Sequence, residues 1–190
     1  MKSEKIRCWK TNNPLYNKYH DEEWGVPVHD DRKLFEFLSL EIFQAGLTWE
    51  LILNRREDFK NAFDNFEPKI VAKYLCKKIN KLLSNPKIIR NRLKIESTIN
   101  NAIGFLEIQK EYGSFSKFIW SFVGGKSINS KFVTFADLPS NTRESVNMSK
   151  ELKKRGFKFI GPTVCYSFMQ AVGLVNDHLL NCFRKDEIKG

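Results

Sequence analysis

The sequence predicts an all-α fold built as a single globular domain, and three observations carry that expectation. Apolar residues recur at spacings of three and four along most of the chain, the period of a helix with one buried face. β-like patterning is confined to FVTF at 132–135 and FKFI at 157–160, runs too short to build a sheet. The 190 residues fit one domain, and no internal repeat, low-complexity tract or Pro/Gly-rich linker divides residues 1–190.

Taken in order, the first clear helix covers 31–45, where Leu34, Phe35, Leu38, Ile42 and Ala45 share a face. Asp30 or Asp31 supplies its N-cap and Gly46 its stop. A second helix starts after Thr48 and runs through Ile52 to Arg56. Short helices follow near 58–64, 68–75 and 77–84, the middle one led by Pro68, whose fixed φ suits a first turn. A long helix over about 88–112 turns Ile95, Ile99, Ala102, Ile103, Leu106 and Ile108 inward, and Phe118, Ile119 and Phe122 face the core in 115–123. Residues 127–143 read as a surface loop, after which helices return at 149–155 and at 162–176, the last stopping near Gly173.

The formal net charge of +10 fits a polyanionic partner, although Lys outnumbers Arg 23 to 9 and Lys enrichment also follows genome composition. Position is more informative than the total. Between Lys73 and Lys94 stand eight basic residues and no acidic one, either a phosphate-binding stretch or a solvated face. The polar start MKSEKIRCWK lacks the apolar core of a secretory signal, and no run of eighteen apolar residues occurs. A soluble cytoplasmic protein without a membrane partner is therefore expected, with Cys8, Cys76, Cys165 and Cys182 reduced. Cys76 and Cys165 lie in apolar segments and read as buried core thiols.

NDHLLNC sets His178 and Cys182 four residues apart, so that on a helix both would project from one face. With Cys8 and His20 they make two Cys and two His, the ligand set of a tetrahedral zinc site; the alternative is four separately buried residues. A site filled by four protein ligands leaves no place for water, so such a zinc would be structural and would tie the first twenty residues to the last thirteen.

The first fifty residues hold Trp9, Tyr16, Tyr19, Trp24, Glu41 and Trp49. Aromatic faces plus one carboxylate are what an enzyme needs to hold a base taken out of the DNA stack, though aromatics most often serve only as core. Glu41 interrupts the apolar LSLEIFQAGLTW: it either accepts hydrogen bonds from the amine and ring N–H of a purine or reaches solvent from its helix.

In the same order along the chain, RCW, PLYNKYHDEEWGVP, LEIFQAGLTWELIL, KRGFKFIGPTVCYSFMQAVGLVNDH and the final Cys182 resemble the signature segments of the DNA-3-methyladenine glycosylase I family, over almost the whole length. The resemblance implies a base-excision repair enzyme of the helix-hairpin-helix superfamily; no dimer motif stands out in the sequence, so a monomer is expected. It would hydrolyse the N-glycosidic bond of 3-methyladenine in double-stranded alkylated DNA, leaving an abasic site. By matching motif, Cys8, His20, His178 and Cys182 fill the ligand positions of one structural zinc. Glu41 and Tyr19 match the residues that read the base, Glu41 standing as the catalytic carboxylate. Trp49 matches a wall of the pocket, with Trp9 and Trp24 as further members, and RCW sets Trp9 directly after Cys8, where the family usually has a residue between them. The basic stretch matches the family's hairpin, with SNPKII between two helices and Lys87, where a glycine often stands, and Arg90 as DNA contacts. Gly46 and Leu47 match a segment near the DNA stack, Leu47 as a wedge filling the vacated space. Two rivals stay in view: a hydrolase with a catalytic zinc, and a binding module that keeps the pocket without the chemistry.

Overall fold

In the computed structural model, which describes residues 5–188, helices dominate. Helix α1 (Pro14–Glu22) has no counterpart in the periodicity reading, because its inward face is carried by Tyr19 and His20 rather than by aliphatic residues. Its local signal is Asn13-Pro14: the Asn13 side chain accepts from Leu15 N and Tyr16 N, and Pro14 takes the first turn. Helix α2 (Asp31–Gln44) begins at the expected cap, Asp30, which accepts from Lys33 N at 2.7 Å. Every residue from Leu34 to Phe43 is buried, so α2 is the central helix, and the carboxylate at position 41 does not project from the outer surface.

The helix expected from Thr48 to Arg56 is α3 (Trp49–Asn54), capped by Thr48 and ending two residues early, and the short helix expected near 58–64 is α4 (Arg56–Ala62), which starts two residues early, immediately after Arg55. After a 3₁₀ turn at Asp64–Phe66 come α5 (Pro68–Val71) and α6 (Cys76–Ser84). Helix α7 (Arg92–Tyr112) starts later than the 88 predicted, because residues 85–91 form the connection from α6, and it ends at Gly113 with φ +83°. Its buried apolar stripe is Ile95, Ala102, Phe105 and Ile108; Ile103, expected inside, is 50% exposed. Helix α8 (Phe115–Trp120) buries Phe118 and Ile119, as expected, and is followed by the 3₁₀ turn Ser121–Val123.

Helix α9 (Arg143–Lys154) begins well before 149, nucleated by a capping box of Thr142 and Ser145 that a loop-like composition conceals. Helix α10 (Pro162–Ala171) ends earlier than 176. Gly173 adopts φ +73°, and a Cβ there would lie 2.4 Å from the Val26 carbonyl carbon, so only glycine permits the close approach to the segment after α1. The chain then forms β2 (Val175–Asn176), paired in parallel with β1 (Ile128–Asn129), while FVTF and FKFI form no strand. Helices α10, α7, α3 and α8 pack around α2, with one cluster of buried apolar side chains running through them. Among the described residues no helix is long and apolar enough to cross a membrane.

Candidate functional site

One cavity of about 460 Å³ opens where α1, α2, α3 and α10 meet the segment before α1. Its walls are Trp9, Tyr16, Tyr19, Trp24 and Trp49, with Phe135 and Leu138 from the long connection before α9. Its polar groups are Glu41 and Gln44 on α2 and Ser167 and Gln170 on α10. The five expected members, Glu41, Tyr19, Trp49, Trp9 and Trp24, therefore come together. Placing Trp9 directly after Cys8 still delivers its ring, which lies 5.0 Å from those of Tyr16 and Trp24. Tyr19 and Trp49 face each other at 5.3 Å.

Sequence reading missed Gln44, Ser167, Gln170, Phe135 and Leu138. Two signals were present: Gln44 follows Glu41 by one helical turn, and Ser167 and Gln170 are polar residues three apart on the mostly apolar α10. The connection carrying Phe135 and Leu138 has no pattern that would announce it.

The polar accounting of this cavity is unusual. Only four buried side-chain polar atoms among the described residues lack a hydrogen-bond partner, and three of them belong to its walls: Glu41 Oε2, Trp9 Nε1 and Trp49 Nε1. Burial pushes the Glu41 carboxyl up to about 8, so the pocket by itself keeps it protonated at neutral pH. Burial, reinforced by Glu41, raises Tyr19 well above the ordinary phenol, which leaves it a hydrogen-bond donor. A planar ligand bearing positive charge and both donor and acceptor edges would satisfy all three orphaned atoms and let Glu41 ionise.

Behind the Trp9 and Trp24 walls, Cys8, His20, His178 and Cys182 gather, all buried, with ligand atoms within 4.8 Å of one another. Cys8 Sγ is 3.3 Å from His178 Nδ1, and Cys182 Sγ is 3.4 Å from both His178 Nδ1 and His20 Nε2. Tetrahedral bonds of the usual metal–sulfur and metal–nitrogen lengths put ligand atoms about 3.3–3.8 Å apart. The outer nitrogens are tied back: His178 Nε2 donates to Trp24 O at 2.9 Å and His20 Nδ1 to Asp21 Oδ1 at 2.8 Å, while Arg7 grips Asp21 with two bonds. Both rings thus turn a lone pair toward the sulfurs, the arrangement of metal-bound histidines. The quartet could hold a metal ion. His178 and Cys182 do not share a helix face as the spacing suggested; both lie in irregular chain after β2, where Asn176 Oδ1 accepts from His178 N at 3.3 Å. Of the other cysteines Cys165 is buried, and burial pushes its thiol up to about 12; Cys76, expected in the core, is exposed on the first turn of α6.

A helix, turn, helix element is formed by α6, residues 85–91 and α7. Asn85 accepts from Lys87 N at 3.0 Å, Ile88 is buried, and Asn91 caps α7. Lys87 keeps a negative φ, so this turn needs no glycine at that position. Of the eight basic residues between 73 and 94, Lys73, Lys77, Lys81 and Arg90 make no ion pair among the described residues. Lys78 pairs with Asp64, Lys87 with Asp58 and Arg92 with Glu96, while Lys94 is buried. Gly46 and Leu47 are exposed at the turn after α2, just beyond the pocket member Gln44 and Ala45.

A family model described as methyladenine glycosylase matches residues 9–185. The chain is 46% identical over 177 residues to DNA-3-methyladenine glycosylase 1 of Escherichia coli (strain K12), covering 93% of this chain and 95% of that protein. A crystal structure of 3-methyladenine DNA glycosylase I superposes with a TM-score of 0.91 at 47% identity, over 94% of this chain and 98% of the other. A variant of such an enzyme in complex with 3-methyladenine superposes with a TM-score of 0.90 at 41% identity, over 92% and 94% of the two chains.

Proposed function

The chain belongs to the methyladenine glycosylase family, and on that premise we propose that it excises 3-methyladenine from alkylated double-stranded DNA. The enzyme is a DNA glycosylase of the 3-methyladenine type, and the observation that carries the reading is the trio of orphaned polar atoms around one aromatic cavity. A base turned out of the stack enters this cavity, its faces covered by Tyr19, Trp49, Trp9 and Trp24. Glu41 accepts from the exocyclic amine and ring edge, and Tyr19 donates.

Methylation at N3 places a positive charge on the purine, so the base is already a good leaving group. Water bonds to the sugar C1′ and the bond to N9 breaks, its electron pair neutralising the departing base; one proton is released. Selection therefore falls to binding: a cationic base pulls the Glu41 proton off and stacks with about 0.5–2 kcal/mol of cation–π attraction, whereas neutral adenine leaves the carboxyl protonated. Cys8, His20, His178 and Cys182 would hold one zinc, and four protein ligands give that ion a structural role with no open position. The α6–α7 element acts as the helix-hairpin-helix, the backbone amides of its turn and Lys87 and Arg90 holding phosphate, while Leu47 fills the space the base leaves. Residues 1–190 act as one catalytic domain, a monomer of the cytoplasm.

Incubation with methylated duplex DNA followed by chromatography of the supernatant tests the reaction: 3-methyladenine is expected as a released free base with the strand uncut. Binding without release would leave a damage-binding module in its place. A second expectation concerns the hairpin. Arg90→Ala should weaken duplex binding alike for all sequences and reduce the slope of log affinity against log salt by about one, as loss of a single phosphate contact does. An unchanged slope in a salt titration would remove Arg90 from the interface.

A further inference from the structure

Lys94 is the only buried lysine among the described residues, and neither the pocket nor the hairpin contacts account for it. It stands at the third position of α7, directly after the hairpin, where its backbone N donates to the cap Asn91 at 3.1 Å. Its Nζ crosses to the end of α2, donating to Phe43 O at 2.9 Å and Ala45 O at 2.6 Å. Helix α2 has no basic residue in its own last turn, so Lys94 supplies from another helix the cation that a C-terminus favours and satisfies two of its carbonyls.

Those carbonyls sit at the start of a defined turn, Gln44–Leu47, one just before it and one at its second residue. Ala45 has φ −47° and ψ 116°, Gly46 φ +79°, and Leu47 N donates to Gln44 O at 2.6 Å, the geometry of a type II turn in which the third residue needs positive φ. The turn joins Gln44, a pocket wall, to exposed Leu47. One ammonium thus ties the first turn of α7 to the base of the turn that carries Leu47.

We propose that Lys94 is a positioning residue that holds the Gln44–Leu47 turn in register with the hairpin, so that the phosphate grip at 85–91 and the insertion of Leu47 act on the same stretch of DNA. The inference rests on the DNA-facing roles proposed above for the hairpin and Leu47. Its signature is non-additivity: removing the Lys94 ammonium harms catalysis on DNA only while Leu47 is there to be positioned.

Single-turnover excision from methylated duplex is compared in the unaltered chain, Lys94→Met, Leu47→Ala and the double variant, beside the affinity of each for free 3-methyladenine by tryptophan fluorescence. Lys94→Met is expected to slow excision about tenfold when Leu47 is intact and less than about twofold in the Leu47→Ala background, with free-base affinity held within about twofold. Equal losses in both backgrounds, or a loss of free-base affinity in step with excision, would overturn the proposal, since a general packing defect acts regardless of Leu47. If Lys94→Met does not fold, Lys94→Gln, which keeps one donor, goes through the same cycle with a smaller expected loss. Affinity for a duplex carrying a tetrahydrofuran abasic-site analogue gives the same cycle without chemistry. Failure of the unaltered chain to release base would therefore sink the proposed function while still leaving Lys94 to be judged by binding.

Discussion

Glu41→Gln should slow excision by about a hundredfold or more and at the same time raise the melting temperature in alkaline solution. The first effect follows from what the pocket offers a cationic base: Glu41 is its only carboxylate, and its unpartnered Oε2 is buried. An amide keeps the shape and one acceptor but cannot become an anion, and charge stabilisation of this kind is worth on the order of 3–4 kcal/mol in transition states. The second effect follows from linkage. Glu41 is raised from 4.5 in a free chain to about 8 in the fold, so between those values the native state holds a proton that the unfolded state has lost. Its stabilising contribution is full below 4.5 and is lost as pH rises toward 8, at up to about 1.4 kcal/mol per pH unit. Glutamine cannot titrate and removes that slope. Melting curves for the two proteins should lie close together near pH 5 and separate toward pH 8, with the variant higher. Parallel curves across the series would mean that Glu41 is not buried as a titrating acid, and undiminished excision would remove it from the chemistry.

That trade between stability and function explains what was legible in the sequence. A carboxylate inside LSLEIFQAGLTW conflicts locally with its surroundings, and such conflicts stand out against apolar periodicity, which also locates α2 almost to the residue. The expected aromatic members reach one cavity because Tyr19 on α1 and Trp49 on α3 meet there with Trp9 and Trp24 from the segments flanking α1. Periodicity fails where other forces decide. Helix α1 turns Tyr19 and His20 inward, so its buried face is chosen by the site and not by aliphatic packing. Helix α9 is set by a capping box inside a polar stretch, and the short β1–β2 pair depends on a tertiary meeting of residues 128–129 with 175–176. The His178 and Cys182 spacing points to the right pair for the wrong local reason: the chain brings them together as an irregular turn, not as one face of a helix. Lys94 reads in the sequence as one more charge of the basic stretch, and only the fold shows its ammonium enclosed by two carbonyls.

Removal of a ligand from the Cys/His quartet should have the largest effect on the folded state, and its consequences should extend to base binding. In His178→Ala the zinc proposed above is lost, and the melting temperature is expected to fall by about 10 °C or more, since a structural site contributes folding energy directly and each kcal/mol is worth about 2–4 °C in a chain of this size. The pocket should suffer because its walls are neighbours of the ligands: Trp9 follows Cys8, Tyr19 precedes His20, and Trp24 O accepts from His178 Nε2. The same reasoning separates a structural ion from a catalytic one. Chelation of the unaltered protein should lower thermal stability and free-base affinity together, with excision falling only as they do. A catalytic ion would instead let excision vanish while melting and base affinity held, an outcome that metal content by emission spectroscopy, melting and fluorescence titration on one sample would reveal. Such a result would require an open coordination position, which the proposed reading, in which all four buried residues serve as ligands and both imidazoles are tied back by Trp24 and Asp21, does not leave.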